Sequence, residues 1–207
     1  LYDLGAPIEA ANSSPGCAAC DAISSATAPC ETKSPCSGEF PASICDCLSS
    51  FSRKECEKDV AEYFFQSGSF IQYKFPHVFH TQRTHFQTML RTRQSNSVIL
   101  SVSSQDQTEY IILQVTHGML AVSYNIGDGD FAVHLPNHRV DSGEWQEVTL
   151  ERLQNEFSLR VNSGGEHKEI TAAHGTYKEI KVDPSSIVLG SGNLQDLSFQ
   201  GCIRMLD

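Results

Sequence analysis

The residues best suited to chemistry sit in one short stretch, Asn125-Ile-Gly-Asp128-Gly-Asp130-Phe131. Two carboxylates and an amide oxygen set among glycines are hard oxygen donors on adaptable backbone, the kind of donor set calcium prefers. The same two acids also read as a solvated turn in an acidic protein. His77, His80 and His85 gather upstream. Pro76 bars a helical His-x-x-x-His face there, and no cysteine or carboxylate lies near in sequence, so surface or strand-edge histidines are expected. No nucleophile elbow, paired general acid and base, or phosphate-cradling glycine loop occurs, and the chain reads as non-enzymatic. Asn12-Ser13-Ser14 is an N-x-Ser glycan acceptor within a polar opening segment.

The cysteines carry the other chemistry. Of the eight, seven fall between Cys17 and Cys56 and one stands apart at Cys202, which concentrates crosslinks where a small module has too little core to fold unaided. That usage points to an oxidising, extracellular compartment. Cys17-x-x-Cys20 lacks a second ligand pair at zinc-ribbon spacing, so oxidation is expected over zinc. A net charge of −10 and a pI near 5.2 argue against nucleic acid and against heparin, which need clustered Lys and Arg, and leave a metal cation as the better-matched ion. No window is apolar enough to insert in a membrane and no signal sequence opens the chain, so a piece of an ectodomain is expected.

The elements that must position these residues read as β throughout. Strands are predicted at Ser69–Phe75, His85–Arg93, Ser97–Val102, Glu109–Val115, His117–Tyr124, Trp145–Arg152 and Glu156–Val161. Gly, Asn, Asp and Ser turns separate them, with hairpin turns at Val115-Thr-His-Gly118-Met and Leu153-Gln-Asn155-Glu. No helical period competes. The expectation is an all-β sandwich whose interior holds Phe70, Leu90, Ile99, Leu113, Val122, Trp145, Val148, Leu159, Ile187 and Leu189.

Several phrases then occur in a telling order. "GSFIQYKF" opens the strand series, "YIILQVTHGMLAVSYNIG" forms a hairpin, and "VDSGEWQEVTLER" follows. A short apolar strand ending at Gly190 and the sequence Phe199-Gln-Gly-Cys-Ile-Arg204 close it. From Gly68 to Leu206 this series resembles laminin G-like domains, which implies a jelly-roll sandwich of two antiparallel sheets. The resemblance also implies one calcium ion at the sandwich rim, held by Asp130, the carbonyl near Glu147 and the Val182-Asp183 segment, with Asp183 one position away from the family's usual place. It makes Trp145 a core residue. The spacing Cys45-x-Cys47-x8-Cys56 resembles the second half of an EGF-like module, which implies the pairs Cys20–Cys36, Cys30–Cys45 and Cys47–Cys56. Ser50 and Arg53 stand where that module usually has glycines, and its calcium-binding acidic lead-in is missing, so a spacer with no ion of its own is expected. Cys17 and Cys202 are left over. Their joining is favoured by the even count and would draw the opening segment back towards the closing strand; the alternative gives each a partner in a neighbouring module.

The expected organisation is a linker or the tail of a preceding module at 1–16, an EGF-like disulfide module at 17–57 and a laminin G-like domain at 58–207. Such a pair resembles the membrane-proximal ectodomains of Fat, Flamingo and invertebrate classical-type cadherins; Slit, neurexin, crumbs and agrin carry similar pairs. The function this implies is adhesion or recognition by a large cell-surface receptor, with extracellular proteins or neighbouring modules as partners. The alternative is a secreted matrix or guidance protein whose domain binds glycans or a receptor. Glycan binding of that kind needs a basic rim, whereas Arg83, Arg91, Arg93, Arg139 and Arg152 are scattered among acids.

Overall fold

The structure, a computed structural model, describes residues 9–15, 36–37, 44–45, 62–191 and 197–206. Sixteen strands cover them: β1 (Glu9–Pro15), β2 (Cys36–Ser37), β3 (Ile44–Cys45), β4 (Glu62–Tyr73), β5 (Phe79–Thr81), β6 (Arg83–Arg91), β7 (Ser97–Ser103) and β8 (Tyr110–Thr116), followed by β9 (Met119–Asn125), β10 (Phe131–Arg139), β11 (Gln146–Leu153), β12 (Glu156–Ser163), β13 (Glu166–Ala173), β14 (Ile180–Val182), β15 (Ile187–Leu189) and β16 (Gly201–Met205). The main ladder runs β10-β9-β8-β7-β15-β4-β16-β6-β11-β12-β13. It doubles over at β4. Ile71 to Tyr73 of that strand pair with β15, Glu62 to Phe65 pair with β16, and Gly68 at φ 78° lies between. The two halves therefore face one another as the two layers of a jelly-roll sandwich, and Tyr124 of β9 stacks on Phe157 of β12 with ring centroids 3.7 Å apart.

Alternation explains most of the core. In β8, β11 and β12 every second residue is buried, as a strand with one face on an apolar interior requires. Of the expected interior residues, Leu90, Ile99, Leu113, Val122, Val148, Leu159, Ile187 and Leu189 are all buried. The β8–β9 hairpin turns where expected: His117 and Gly118 have φ 53° and 81°, the left-handed pair that matches strand twist in a two-residue hairpin.

Two expected core residues are corrected. Phe70 is half-buried while Ser69, Ile71 and Tyr73 are buried, so in this part of β4 the odd-numbered positions face the interior and Phe70 lies on the opposite face. Trp145 is also half-buried. It precedes β11, and its ring lies 4.4 Å from the guanidinium carbon of Arg204, a cation–π contact on the flank of the sandwich. Arg204 in turn donates from Nε and Nη2 to Glu62 Oε2 at 3.0 and 2.7 Å, with both side chains almost completely buried. This pair joins β16 to β4.

Residues 9–15 look like linker in composition yet run antiparallel to β4 along its outer edge, Glu9 opposite Gln72 and Pro15 opposite Tyr63. Main-chain pairing needs no apolar side chains, so composition gave no sign of it. β10 and β13 were also absent from the sequence expectation. β10 carries Pro136 and alternates poorly, and β13 is a polar outer strand.

The expected pairs Cys20–Cys36, Cys30–Cys45 and Cys47–Cys56 and the glycan on Asn12 lie outside what is described: Cys17, Cys20, Cys30, Cys47 and Cys56 are not among the described residues, and Asn12, Cys36 and Cys45 are described in backbone alone, with Cys36 opposite Cys45 in the β2–β3 pair. Cys202 is buried and disulfide-bonded; every other cysteine of the chain lies between Cys17 and Cys56. Among the described residues no helix is long and apolar enough to cross a membrane.

Candidate functional site

The loop between β9 and β10 is built by its own side chains. Asn125 Oδ1 accepts from the Gly127 and Gly129 N–H groups at 2.9 and 3.4 Å, and Asn125 Nδ2 donates to Asp130 Oδ1 at 3.0 Å. Tyr110, opposite Asn125 in the ladder, donates its hydroxyl to the same Asp130 oxygen at 2.9 Å. Burial and that hydrogen bond to a carboxylate raise the Tyr110 pKa.

A second loop, 174–177, clasps the first. Asp128 Oδ2 accepts from the Thr176 N–H, from Thr176 Oγ1 at 3.1 Å and from the Tyr177 N–H at 3.2 Å. The Thr176 N–H, first among these donors, holds the Asp128 carboxyl below the usual carboxylate range. Gly127, at φ 121°, lets the Tyr177 ring lie against the loop; a Cβ there would come within 3.0 Å of that ring. Beneath, Tyr124 shares a 3.0 Å hydrogen bond with His174 Nδ1, and His174 stacks on Phe131 at 5.3 Å. The clasp was missed from sequence, since nothing in local spacing connects Asp128 with Thr176.

The expected calcium ligands are not brought together as a set. Asp130 is exposed at this rim. Asp183 is 7% exposed, and its Oδ2 accepts from the Gln105 N–H at 2.7 Å and lies 3.5 Å from Lys181 Nζ. Glu147 sits between Met89 and Asn162 in the other sheet, its carboxylate accepting from Gln87 at 2.7 Å and Asn162 at 3.3 Å. It follows Gly143, whose N–H bonds to Thr92, at the end of the sandwich where the Gly118 N–H bonds to Ser95. Asp130 is at the opposite end of β9, and seven residues of strand separate the two ends by roughly 20 Å. Among the described residues no group of three or more His, Cys, Asp or Glu side chains is placed to hold a metal. One feature of the rim does favour a cation: Asp128 Oδ1 is shielded from solvent with no hydrogen-bond partner. His77, His80 and His85 form no ligand set either, and His85 pairs with Glu151 at 3.3 Å.

A polar groove of about 490 Å3 opens beside the rim, with Gln72, Ser101, Ser103, Gln105, Asp183 and Ser186 in its walls. Hydroxyls and amides there present both donors and acceptors to a polar partner. No activated nucleophile or acid–base pair accompanies them.

Comparison with known proteins matches the Laminin G domain family over residues 90–207. Neural-cadherin of Drosophila melanogaster is 27% identical over 173 residues, covering 79% of this chain and 6% of that protein. Neurexin-2 of Mus musculus is 23% identical over 172 residues, covering 81% of this chain and 10% of that protein. The chain thus spans a small part of the curated relatives it matches. Among solved structures, the LG1-3 region of the laminin alpha2 chain superposes with a TM-score of 0.52 at 16% identity, covering 69% of this chain and 31% of that one, which speaks to the fold.

Proposed function

The chain belongs to the laminin G domain family, and from that premise we propose that it is a non-enzymatic recognition region of an extracellular cell-surface protein, cadherin-type or neurexin-type. The observation that carries this reading is the family match across more than half the chain, joined to relatives that are cell-surface proteins. Laminin G domains are typically binding modules, and the partners proposed here are extracellular proteins or neighbouring modules of the same receptor. An EGF-like module at 17–57 would orient the sandwich, with Cys17 as the disulfide partner of Cys202.

The competing reading, a matrix or guidance protein that binds sulfated glycans, is separated by a heparin column. We expect elution at low salt, because the chain carries a net charge of −10. Retention to moderate salt rejects the preferred reading.

Laminin G domains often bind calcium. Of the expected set only Asp130 stays in the proposal, now with the unpartnered Asp128 Oδ1 of the same loop; the Asp183 carboxylate already accepts from Gln105, and the carbonyl near Glu147 belongs to β11 at the other end of the sandwich. An ion there raises the melting temperature by mass action, and Asp130→Ala removes the rise. Equal melting curves in calcium and in chelator reject the ion.

A further inference from the structure

β5 and β14 form a two-stranded flap, Phe79 opposite Val182 and Thr81 opposite Ile180. Under it lies a cavity of about 570 Å3, within the range of about 300 to 1,000 Å3 usual for small-molecule sites. Its apolar walls are Phe75, Phe79, Val102, Val182 and Ile187, the two phenylalanines meeting edge to face at 5.3 Å.

The mouth is unlike the rest of this protein. The chain carries 25 acidic residues against 15 Lys and Arg, yet the lining holds Arg83, His80 and His85 and no acid. Three acids stand just outside: Glu179 accepts from Gln82 at 2.7 Å, Glu151 pairs with His85, and Glu156 shares an adjoining groove with Arg83 and Arg152. The Arg83 side chain is exposed with no partner among the described residues. Behind the mouth lies Arg152, 2% exposed, which donates to Thr84 Oγ1 and to the carbonyls of Thr81, Gln154 and Lys178 at 2.8 to 3.3 Å. All four acceptors are neutral, so no carboxylate is bonded to this buried cation, and its charge adds to that of Arg83 near the mouth. It also fixes Thr81 and Thr84 of the lining, so the cavity is pre-formed.

We propose that this cavity binds a free long-chain carboxylate, its acyl chain against Phe75, Phe79 and Ile187 and its head at Arg83. Apolar walls supply the affinity by burial, and the charged mouth selects an anion over an alcohol of equal length.

The test uses the full chain and dodecanoate below its micelle concentration, followed by calorimetry and native mass spectrometry. The expected result is one dodecanoate per chain. Arg83→Glu, at an exposed position, should weaken it about tenfold or more while leaving dodecanol unaffected, and Val102→Trp should abolish it by filling the cavity. Butanoate should bind far more weakly. No complex with dodecanoate, or unchanged binding in either variant, overturns the proposal. Should Val102→Trp fail to fold, Phe79→Trp gives a second readout: bromododecanoate should quench the new fluorescence and spare that of Trp145, and absence of quenching likewise overturns it.

Discussion

Removing Glu62 is the most informative perturbation of the fold. Its carboxylate is the acid bound by Arg204, whose guanidinium is otherwise covered on one face by Trp145. Both charged side chains are more than nine-tenths buried, so water cannot replace the lost partner. Breaking a buried pair by deleting one member costs about 3 to 5 kcal/mol, because an uncompensated charge is left behind. For a domain of this size each kcal/mol lowers Tm by about 2 to 4 °C, so Glu62→Ala should lose roughly 6 to 20 °C. Glu62→Gln keeps one acceptor and should lose less, about 1 to 3 kcal/mol. The double variant Glu62→Leu, Arg204→Met should recover much of the loss, since an apolar pair of similar volume avoids the desolvation cost. Thermal and urea melts of the four proteins measure all of this. A Glu62→Ala loss below about 1 kcal/mol would show that the pair behaves as a solvent-exposed one and refute the reasoning.

Three further outcomes are expected. Asp128→Asn should lower Tm near neutral pH; because the Asp128 carboxyl is held below its usual value, its contribution is present above the unfolded carboxylate pKa and is lost as pH falls through the lower folded one, so the two melting curves should converge only in strong acid. A gap that stays constant with pH contradicts this. Gly118→Val should destabilise by about 1 kcal/mol or more, since φ is 81° and a Cβ would sit 2.5 Å from Arg139 Nη2; an unchanged urea midpoint rejects the turn assignment. Arg152→Gln should loosen the β5–β14 flap, seen as faster amide exchange at Phe79–Thr81 and Ile180–Val182 with β8 and β9 unaffected; equal exchange in both regions contradicts the anchoring role.

What the sequence disclosed follows from what alternation can and cannot encode. β6, β8, β11 and β12 present one apolar face, so Leu90, Leu113, Val148 and Leu159 were assigned inward correctly. β1 and β13 are stabilised by backbone pairing at outer edges, with side chains that carry no period. Phe70 misled because the adjacent apolar residues Phe70 and Ile71 fit either phase of alternation, and only packing shows that Ser69, Ile71 and Tyr73 are the inward set. Trp145 misled because a large aromatic ring can be buried by a cation as well as by a core. At the rim, the Asn125 to Phe131 stretch stood out by composition, but the residues that clasp Asp128 come from Thr176 and Tyr177, across the fold. Arg152 looked like one scattered arginine; only the tertiary fold gathers its four acceptors around it.

The proposed function is recognition of an extracellular protein by this laminin G domain. Its most direct test is binding of the labelled 207-residue chain to the surface of intact cells. We expect saturable binding that unlabelled chain competes away, that protease treatment of the cells removes, and that heparin and heparinase leave intact. Absence of saturable binding, or binding removed by heparinase and spared by protease, would contradict it.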